Sequence, residues 1–156
     1  MNKIKKILVI NGPNLNLVGK REPEIYGKLS LKNIEDKLTK LQNKISYSID
    51  CVQSNYEGKL IEIVQEASEA YSGLIINAGG YSHTSIALMD ALKYFNKPII
   101  EVHMSNIYRR ENYRHVSYVS QIANGSICGF GNLGYEIAIN CIIKILDKKH
   151  NKDQES

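Results

Sequence analysis

The chain has 156 residues, of which 43% are hydrophobic and 23% charged, and its formal net charge is +4. This length favours a single domain, 1–156, with a polar tail at about 148–156 that we expect to fray. No apolar run approaches the ~18 residues of a membrane span, and we find no signal-peptide pattern. Three scattered cysteines fit reduced thiols. We therefore expect a cytoplasmic protein that binds neither membranes nor nucleic acid.

The first apolar run and the loop after it are the most informative part of the chain. Residues 7–10 are rich in β-branched side chains and end at a turn, 11–14, which predicts a buried strand. Helical periodicity resumes only at about Leu31, whereas a strand-to-helix connection normally takes ~2–6 residues. A polar loop of this length is more often part of a site, or a lid over one, than a plain connection.

Strand and helix patterns then alternate along the chain. Strands are predicted at about 7–10, 45–51, 73–77, 98–103 and 126–129, and helices at about 31–43, 60–71, 84–95 and 133–147. The second strand alternates polar and apolar residues, which is typical of a sheet edge. The pattern predicts an α/β, flavodoxin-like three-layer fold with a five-stranded parallel sheet in the order 2-1-3-4-5.

In that strand order, ligands bind at the carboxyl ends of the strands, at the switch point between strands one and three. The loops there carry residues capable of acid–base chemistry or anion binding. The candidates are Asn14, Arg21, Tyr26, Asn77, His83, His103, Ser105 and Arg114. We expect these residues to converge in one cleft although they are far apart in sequence.

Two candidates invite specific roles. Glu101 lies two residues before His103, on the same face of a predicted strand. A carboxylate beside an imidazole raises the pKa of the imidazole and fixes its tautomer, which would suit His103 to act as a general acid. The alternative is a hydrogen-bonded structural histidine. Tyr26 has an ordinary pKa near 10 and needs a nearby cation to act as a base. Arg21 lies on the same loop, although Tyr26 could instead pack the loop onto the sheet.

A glycine pattern at 129–134, G-x-G-x-x-G, has a different interpretation. The dinucleotide-binding motif belongs to the first strand–helix unit, whereas this one lies in the last. We interpret it as close packing between a helix and the sheet.

The motifs, taken in order, closely resemble those of the type II 3-dehydroquinate dehydratases. They are GPNLNL at 12–17, REP at 21–23, YG at 26–27, QSN at 53–55, INAG at 76–79, HTS at 83–85, DAL at 90–92, EVH at 101–103 and the stretch 129–135. The resemblance runs from about residue 6 to 146. It implies dehydration of 3-dehydroquinate to 3-dehydroshikimate by anti elimination through an enolate, with no cofactor and no metal.

The resemblance also implies a role for each matching residue. Tyr26 would be the base, with Arg21 lowering its pKa from a mobile lid, and Asn14 would hold a water on the enolate oxygen. His103, oriented by Glu101, would be the acid. The substrate would be bound by Asn77, His83, Asp90, Met104, Ser105 and Arg114. The family resemblance further implies a homo-oligomer, a dodecamer built as a tetramer of trimers, with Asp90 acting in a neighbouring subunit.

Two other functions fit an α/β fold of this kind. A flavodoxin-like FMN or nucleotide binder would need a Ser/Thr/Gly-rich phosphate loop after the first strand, where this chain has Pro13 and Asn14. A catalytically inactive relative would have lost part of the set Asn14, Arg21, Tyr26 and His103, and all four are present.

Overall fold

Five parallel strands form one sheet in the order β2-β1-β3-β4-β5 in the computed structural model, which describes residues 5–26 and 28–154. The strands are β1 (Lys5–Asn11), β2 (Tyr47–Gln53), β3 (Gly73–Asn77), β4 (Ile99–His103) and β5 (Gly125–Cys128). The predicted fold class and strand order are confirmed, and β2 lies at an edge as its alternating pattern predicted.

Helices cover both faces of this sheet. They are α1 (Pro23–Tyr26), α2 (Leu31–Gln42), α3 (Glu57–Ala70), α4 (Ile86–Phe95) and α5 (Leu133–Gln154). The side chains of β1 show the arrangement, because Ile7 and Val9 pack with α2 and α5, whereas Leu8 and Ile10 pack with α3 and α4. The sheet therefore separates two apolar cores, and each buried aliphatic side chain contributes roughly 1.5–3 kcal/mol.

Local sequence explains where the main helices begin. Ser30 caps α2 by accepting a hydrogen bond from the Asn33 backbone N–H at 3.2 Å, and Asn33 Oδ1 in turn accepts one from the Ser30 N–H at 3.1 Å. Ser85 caps α4 in the same way through the Leu88 N–H at 2.9 Å. This second cap fixes the turn that carries His83, a 3₁₀ segment at Gly79–His83.

Three details differ from the sequence-based expectations. The loop after β1 contains the short helix α1, which begins at Pro23, a residue suited to a first helical position. Helix α5 continues to Gln154 instead of ending near Asp147, because no glycine or proline stops it. The helical spacing of the predicted helix at 84–95 puts Ile86 among its packing residues, but the Ile86 side chain is 54% exposed in the single chain.

Two further expectations concern the C-terminal tail and membrane spans. The fraying of residues 148–156 stays a prediction. Across residues 5–26 and 28–154, none of the helices combines the length and apolar character needed to cross a membrane.

Candidate active site

A cleft opens at the carboxyl ends of the central strands, at the predicted switch point. It has a volume of about 140 Å³ and lies between the loops that follow β1, β3 and β4. Its polar lining consists of Asn14, Arg21, Asn77, His83, His103, Ser105, Arg110 and Arg114. Its remaining lining consists of Pro13, Leu15, Leu17, Val18, Gly79, Gly80, Met104 and Ile107.

Close backbone contact holds the loop after β1 in this position. The Gly12 N–H donates to the Asn77 carbonyl at 2.7 Å, and a Cβ on Gly12 would lie 2.4 Å from the Ala78 carbonyl oxygen. Only glycine therefore fits between the two loops. Asn14 follows in the left-handed region, with φ of 67°, and its N–H donates to Asn55 Oδ1 at 3.0 Å. Both contacts orient Asn14 at the cleft wall.

The His103–Glu101 pair lies at the buried end of the cleft. His103 Nε2 is 2.7 Å from Glu101 Oε1, and the two side chains are 6% and 0% exposed. Burial alone would raise the pKa of Glu101, but hydrogen bonds from His103, Ser117 and Ser120 outweigh it and lower the pKa to about 2. Glu101 is therefore a carboxylate, so Nε2 of His103 carries a proton. Nδ1 is left to face a ligand.

His83 lies beside this pair. Its ring stacks on that of His103, with 5.8 Å between the ring centroids and 20° between the planes. Its Nδ1–H donates to the Val116 carbonyl at 2.7 Å. Burial lowers the pKa of His83, and the positive charges of His103 and Arg114 add to that shift. A neutral His83 with its proton on Nδ1 offers Nε2 as an acceptor for a ligand hydroxyl.

Asn77 is held by groups behind the cleft. Its Nδ2 donates to the Tyr135 hydroxyl at 3.1 Å, and its Oδ1 accepts the Gly79 N–H at 3.2 Å. The Tyr135 hydroxyl then donates to Asn11 Oδ1 at 2.6 Å. The side chains of Asn77, Tyr135 and Asn11 are all buried, so the amide of Asn77 has one fixed orientation.

Three guanidinium groups surround the cleft, and each has an observed partner. Arg21 Nε is 3.2 Å from Glu22, Arg114 Nε donates to Glu111 at 2.9 Å, and Arg110 donates to Ser105 Oγ at 3.3 Å. Arginine suits carboxylate ligands because its planar donors match two oxygens at once. The cleft is therefore suited to a small polar acid.

Comparisons with known proteins agree with this geometry. The sequence model of the family "Dehydroquinase class II" matches residues 5–143. The chain belongs to the class II dehydroquinase family. Two relatives are "3-dehydroquinate dehydratase 1" of Agrobacterium fabrum, 50% identical over 89% of this chain and 96% of its own, and "3-dehydroquinate dehydratase" of Halothermothrix orenii, 46% identical over 93% and 98%.

A solved structure supports the same assignment. The crystal structure of a type II dehydroquinase from Butyrivibrio crossotus has a TM-score of 0.87 and 41% identity to this chain. The match covers 88% of this chain and 97% of that one. The family resemblance expected from the motifs is therefore confirmed.

The structure brings most of the predicted class II dehydroquinase residues together. Eight of them line the cleft: Asn14, Arg21, Asn77, His83, His103, Met104, Ser105 and Arg114. Glu101 lies directly behind His103. The side chain of Tyr26 lies outside the described residues, although its backbone ends α1 on the loop that carries Arg21.

Asp90 is the predicted site residue that the single chain leaves away from the cleft. It lies on α4 with its side chain 64% exposed, 3.5 Å from Lys93 Nζ. Asp90 therefore does not line the cleft of its own chain, and its role in a neighbouring subunit stays a prediction.

Several contributors to the site were not among the predicted site residues. Arg110 lines the cleft, and its place in the long loop after β4, where an arginine suits a carboxylate ligand, is the sequence signal that points to it. Ser117, Ser120 and Ser126 contact Glu101, and only the register of β5 on β4, which pairs Ser126 with Glu101, reveals the last of them.

The interpretation of the glycine pattern at 129–134 is confirmed at its last position. A Cβ on Gly134 would lie 3.3 Å from Val102 and 3.6 Å from Ile127, so this glycine lets α5 pack closely on the sheet.

Proposed function

We propose that this chain is a hydro-lyase that dehydrates 3-dehydroquinate to 3-dehydroshikimate, a step of the shikimate pathway to aromatic amino acids. The observation that carries the proposal is the buried Glu101–His103 pair at the end of an arginine-lined cleft. Family membership supplies the substrate. The pair supplies a proton donor, and the guanidinium groups suit the carboxylate of the substrate.

His103 acts as the general acid in this proposal. Its Nε2–H is held by Glu101 at 2.7 Å, so the proton that it delivers is one taken up on Nδ1, the ring nitrogen not bonded to Glu101. The Glu101 carboxylate stabilises the resulting imidazolium. The imidazolium donates its Nδ1 proton to the departing hydroxyl, which leaves as water.

Tyr26 acts as the base. Its position on the loop after β1 places it on a different element from His103, which ends β4. Base and acid can then approach opposite faces of one ring, as anti elimination requires. Arg21, five residues earlier on the same loop, supplies the cation that lowers the cost of ionising a phenol. The phenolate takes the proton next to the ketone, and the enolate oxygen is stabilised by a water held by Asn14.

The remaining cleft residues bind the substrate. Asn77 and the backbone N–H groups of Met104 and Ser105 hold its carboxylate and tertiary hydroxyl. The Nε2 of His83 accepts from a ring hydroxyl, because its Nδ1–H is already bonded to Val116. Arg114 binds a ring hydroxyl from the side of the loop after β4.

A direct assay tests this function and its chemical class together. We expect 3-dehydroquinate to yield an absorbing enone product, with the rate unchanged by a metal chelator. Borohydride added with substrate should leave every lysine unmodified, because the reaction proceeds through an enolate and not an imine. Loss of activity with chelator, or a reduced adduct found by mass spectrometry, would contradict the proposed chemistry. Absence of the enone would contradict the function itself.

The proposal includes the assembly and location of the protein. We propose one catalytic domain, 1–156, in a cytoplasmic homododecamer of four trimers, in which Asp90 contributes to the cleft of a neighbouring subunit. The exposed side chain of Asp90 and the exposure of Ile86 on the same helix support an α4 surface that another subunit covers.

Subunit mixing tests the role of Asp90. Asp90→Ala and His103→Ala variants are each weakened, but a mixed trimer contains some sites with Asp90 from one chain and His103 from another. We therefore expect co-refolded variants to exceed the summed activity of the separate variants. If native mass spectrometry shows exchanged subunits and activity does not rise, Asp90 does not act in a neighbouring subunit.

A further inference from the structure

Three serine hydroxyls surround the buried carboxylate of Glu101. Ser117 donates to Oε1, the oxygen that also accepts from His103, and Ser120 donates to Oε2. Ser126 donates to Oε2 at 2.7 Å. We call Ser117, Ser120 and Ser126 the hydroxyl cage. Each carboxylate oxygen of Glu101 thus accepts two hydrogen bonds.

The hydroxyl cage is assembled from separate parts of the chain. Ser126 lies on β5 and is paired with Glu101 of β4 in the sheet register. Ser117 and Ser120 come from the segment that connects the loop after β4 to β5. The Ser117 hydroxyl also accepts the Ser120 N–H at 3.2 Å, and the Ser120 and Ser126 hydroxyls lie 3.0 Å apart. Hydrogen bonds between the three serines therefore hold their hydroxyls in place, and the folding of the chain brings the serines together.

We propose that the hydroxyl cage positions the general acid: it holds Glu101 as a fixed carboxylate, which keeps His103 oriented toward the cleft. This inference rests on the proposed function of His103 as proton donor. The cage residues touch Glu101 and not the cleft, so they act through the Glu101–His103 pair and are positioning residues.

The physical reason lies in where the protons of the pair reside. A fully buried carboxylate is costly unless hydrogen bonds replace its lost water. When both Oε2 donors are removed, the negative form of Glu101 loses that stabilisation, and the proton on His103 Nε2 moves toward Glu101. The pair then consists of a neutral acid and a neutral imidazole. A neutral imidazole with its proton on Nδ1 is a far weaker acid than an imidazolium.

Few charged or titratable groups near Glu101, apart from the hydroxyl cage, could change where the protons of the Glu101–His103 pair reside. The titratable groups that interact with it electrostatically are His103 on the same strand, Cys128 on β5 and His83. Arg114 acts in turn on His83. None of these groups changes when a cage serine becomes alanine, so a change in the protonation of His103 Nε2 reports on the cage.

The test uses the double variant Ser120→Ala/Ser126→Ala in the full chain. We expect kcat to fall about tenfold or more, as for partial loss of a general acid, with KM within about threefold of wild type. The loss should be similar at every pH at which the pair holds both protons, because moving a proton from His103 to Glu101 leaves the number of bound protons unchanged. Ser120→Thr/Ser126→Thr keeps both hydroxyls and should restore kcat.

A matched control and a second measurement complete the design. Ser48→Ala removes a buried hydroxyl that has no hydrogen-bond partner among the described residues, and it should leave kcat unchanged. ¹⁵N NMR of the histidine rings, at a pH where the pair holds both protons, should show less protonated Nε2 on His103 in the double alanine variant. If that variant does not fold, Ser126→Ala alone should show the same changes at smaller size.

The outcomes separate the cage from the function. A folded double alanine variant with wild-type kcat and wild-type His103 NMR signals would overturn the cage proposal while leaving the dehydratase function intact. A rise in KM with unchanged kcat would also overturn it. If wild type itself forms no enone, the proposed function fails, and the NMR comparison still decides whether the hydroxyls control the Glu101–His103 pair.

Discussion

Replacing His103 with glutamine is expected to lower kcat by about 10²–10⁴-fold, the usual contribution of a general acid. Glutamine can still donate an amide N–H to Glu101, which keeps the buried carboxylate partnered and protects the fold. It cannot deliver a proton to a departing hydroxyl. The loss should therefore appear in kcat, with the substrate still bound. Steady-state kinetics with 3-dehydroquinate measures both parameters.

His150→Gln is the matched control for this experiment. His150 is exposed on α5 and lies 17 residues beyond Leu133, the first residue of that helix. It is therefore ~25 Å along the helix axis from the end of α5 near the cleft. We expect wild-type kcat from the control. A His103→Gln enzyme with kcat within a few-fold of wild type would rule out His103 as the acid.

Tyr26→Phe is expected to lower kcat by about 10²–10⁴-fold or more, because it removes the proposed proton acceptor and keeps the ring. An unperturbed tyrosine would need about 4 kcal/mol to ionise at neutral pH, so the reaction depends on a group that lowers this cost. Arg21 is that group in our proposal. Arg21→Gln should therefore lower kcat in the same direction, and raising the pH should recover part of the loss.

Tyr56→Phe serves as the control for Tyr26→Phe. Tyr56 is 76% exposed at the start of α3, lies outside the cleft lining and loses only a hydroxyl by the same substitution, so kcat should not change. Turnover of Tyr26→Phe close to that of wild type would assign the base to another residue. Binding of a carboxylate-bearing ring inhibitor, measured by calorimetry, would show whether the variant keeps an intact cleft.

The order of the strands could be predicted because apolar patterning reflects burial directly. Strand β3 was predicted with the observed bounds, Gly73–Asn77, since it is a continuous apolar run that starts at a glycine. The parallel arrangement then placed His103 and Asn77 at one edge of the sheet. Most of the cleft followed from that single inference.

Other features depended on information that local sequence does not hold. Helix α1 has only 4 residues, too few for a helical period to be visible. Ile86 follows the spacing of a buried face yet is exposed, because periodicity does not distinguish a face that meets the core from one left open in a single chain. The cage serines lie 16 to 25 residues from Glu101, so only the folded chain brings them together.

The stereochemistry of proton loss tests the central claim most directly. 3-Dehydroquinate can be deuterated stereospecifically at the carbon next to the ketone, on either face of the ring, and the product mass shows whether the label is kept. We predict loss of the label on the face opposite the departing hydroxyl and retention of the label on the same face. Those results require a base and an acid on opposite sides of the ring, as the loop after β1 and the end of β4 provide. Loss of the label from the hydroxyl face would contradict the account.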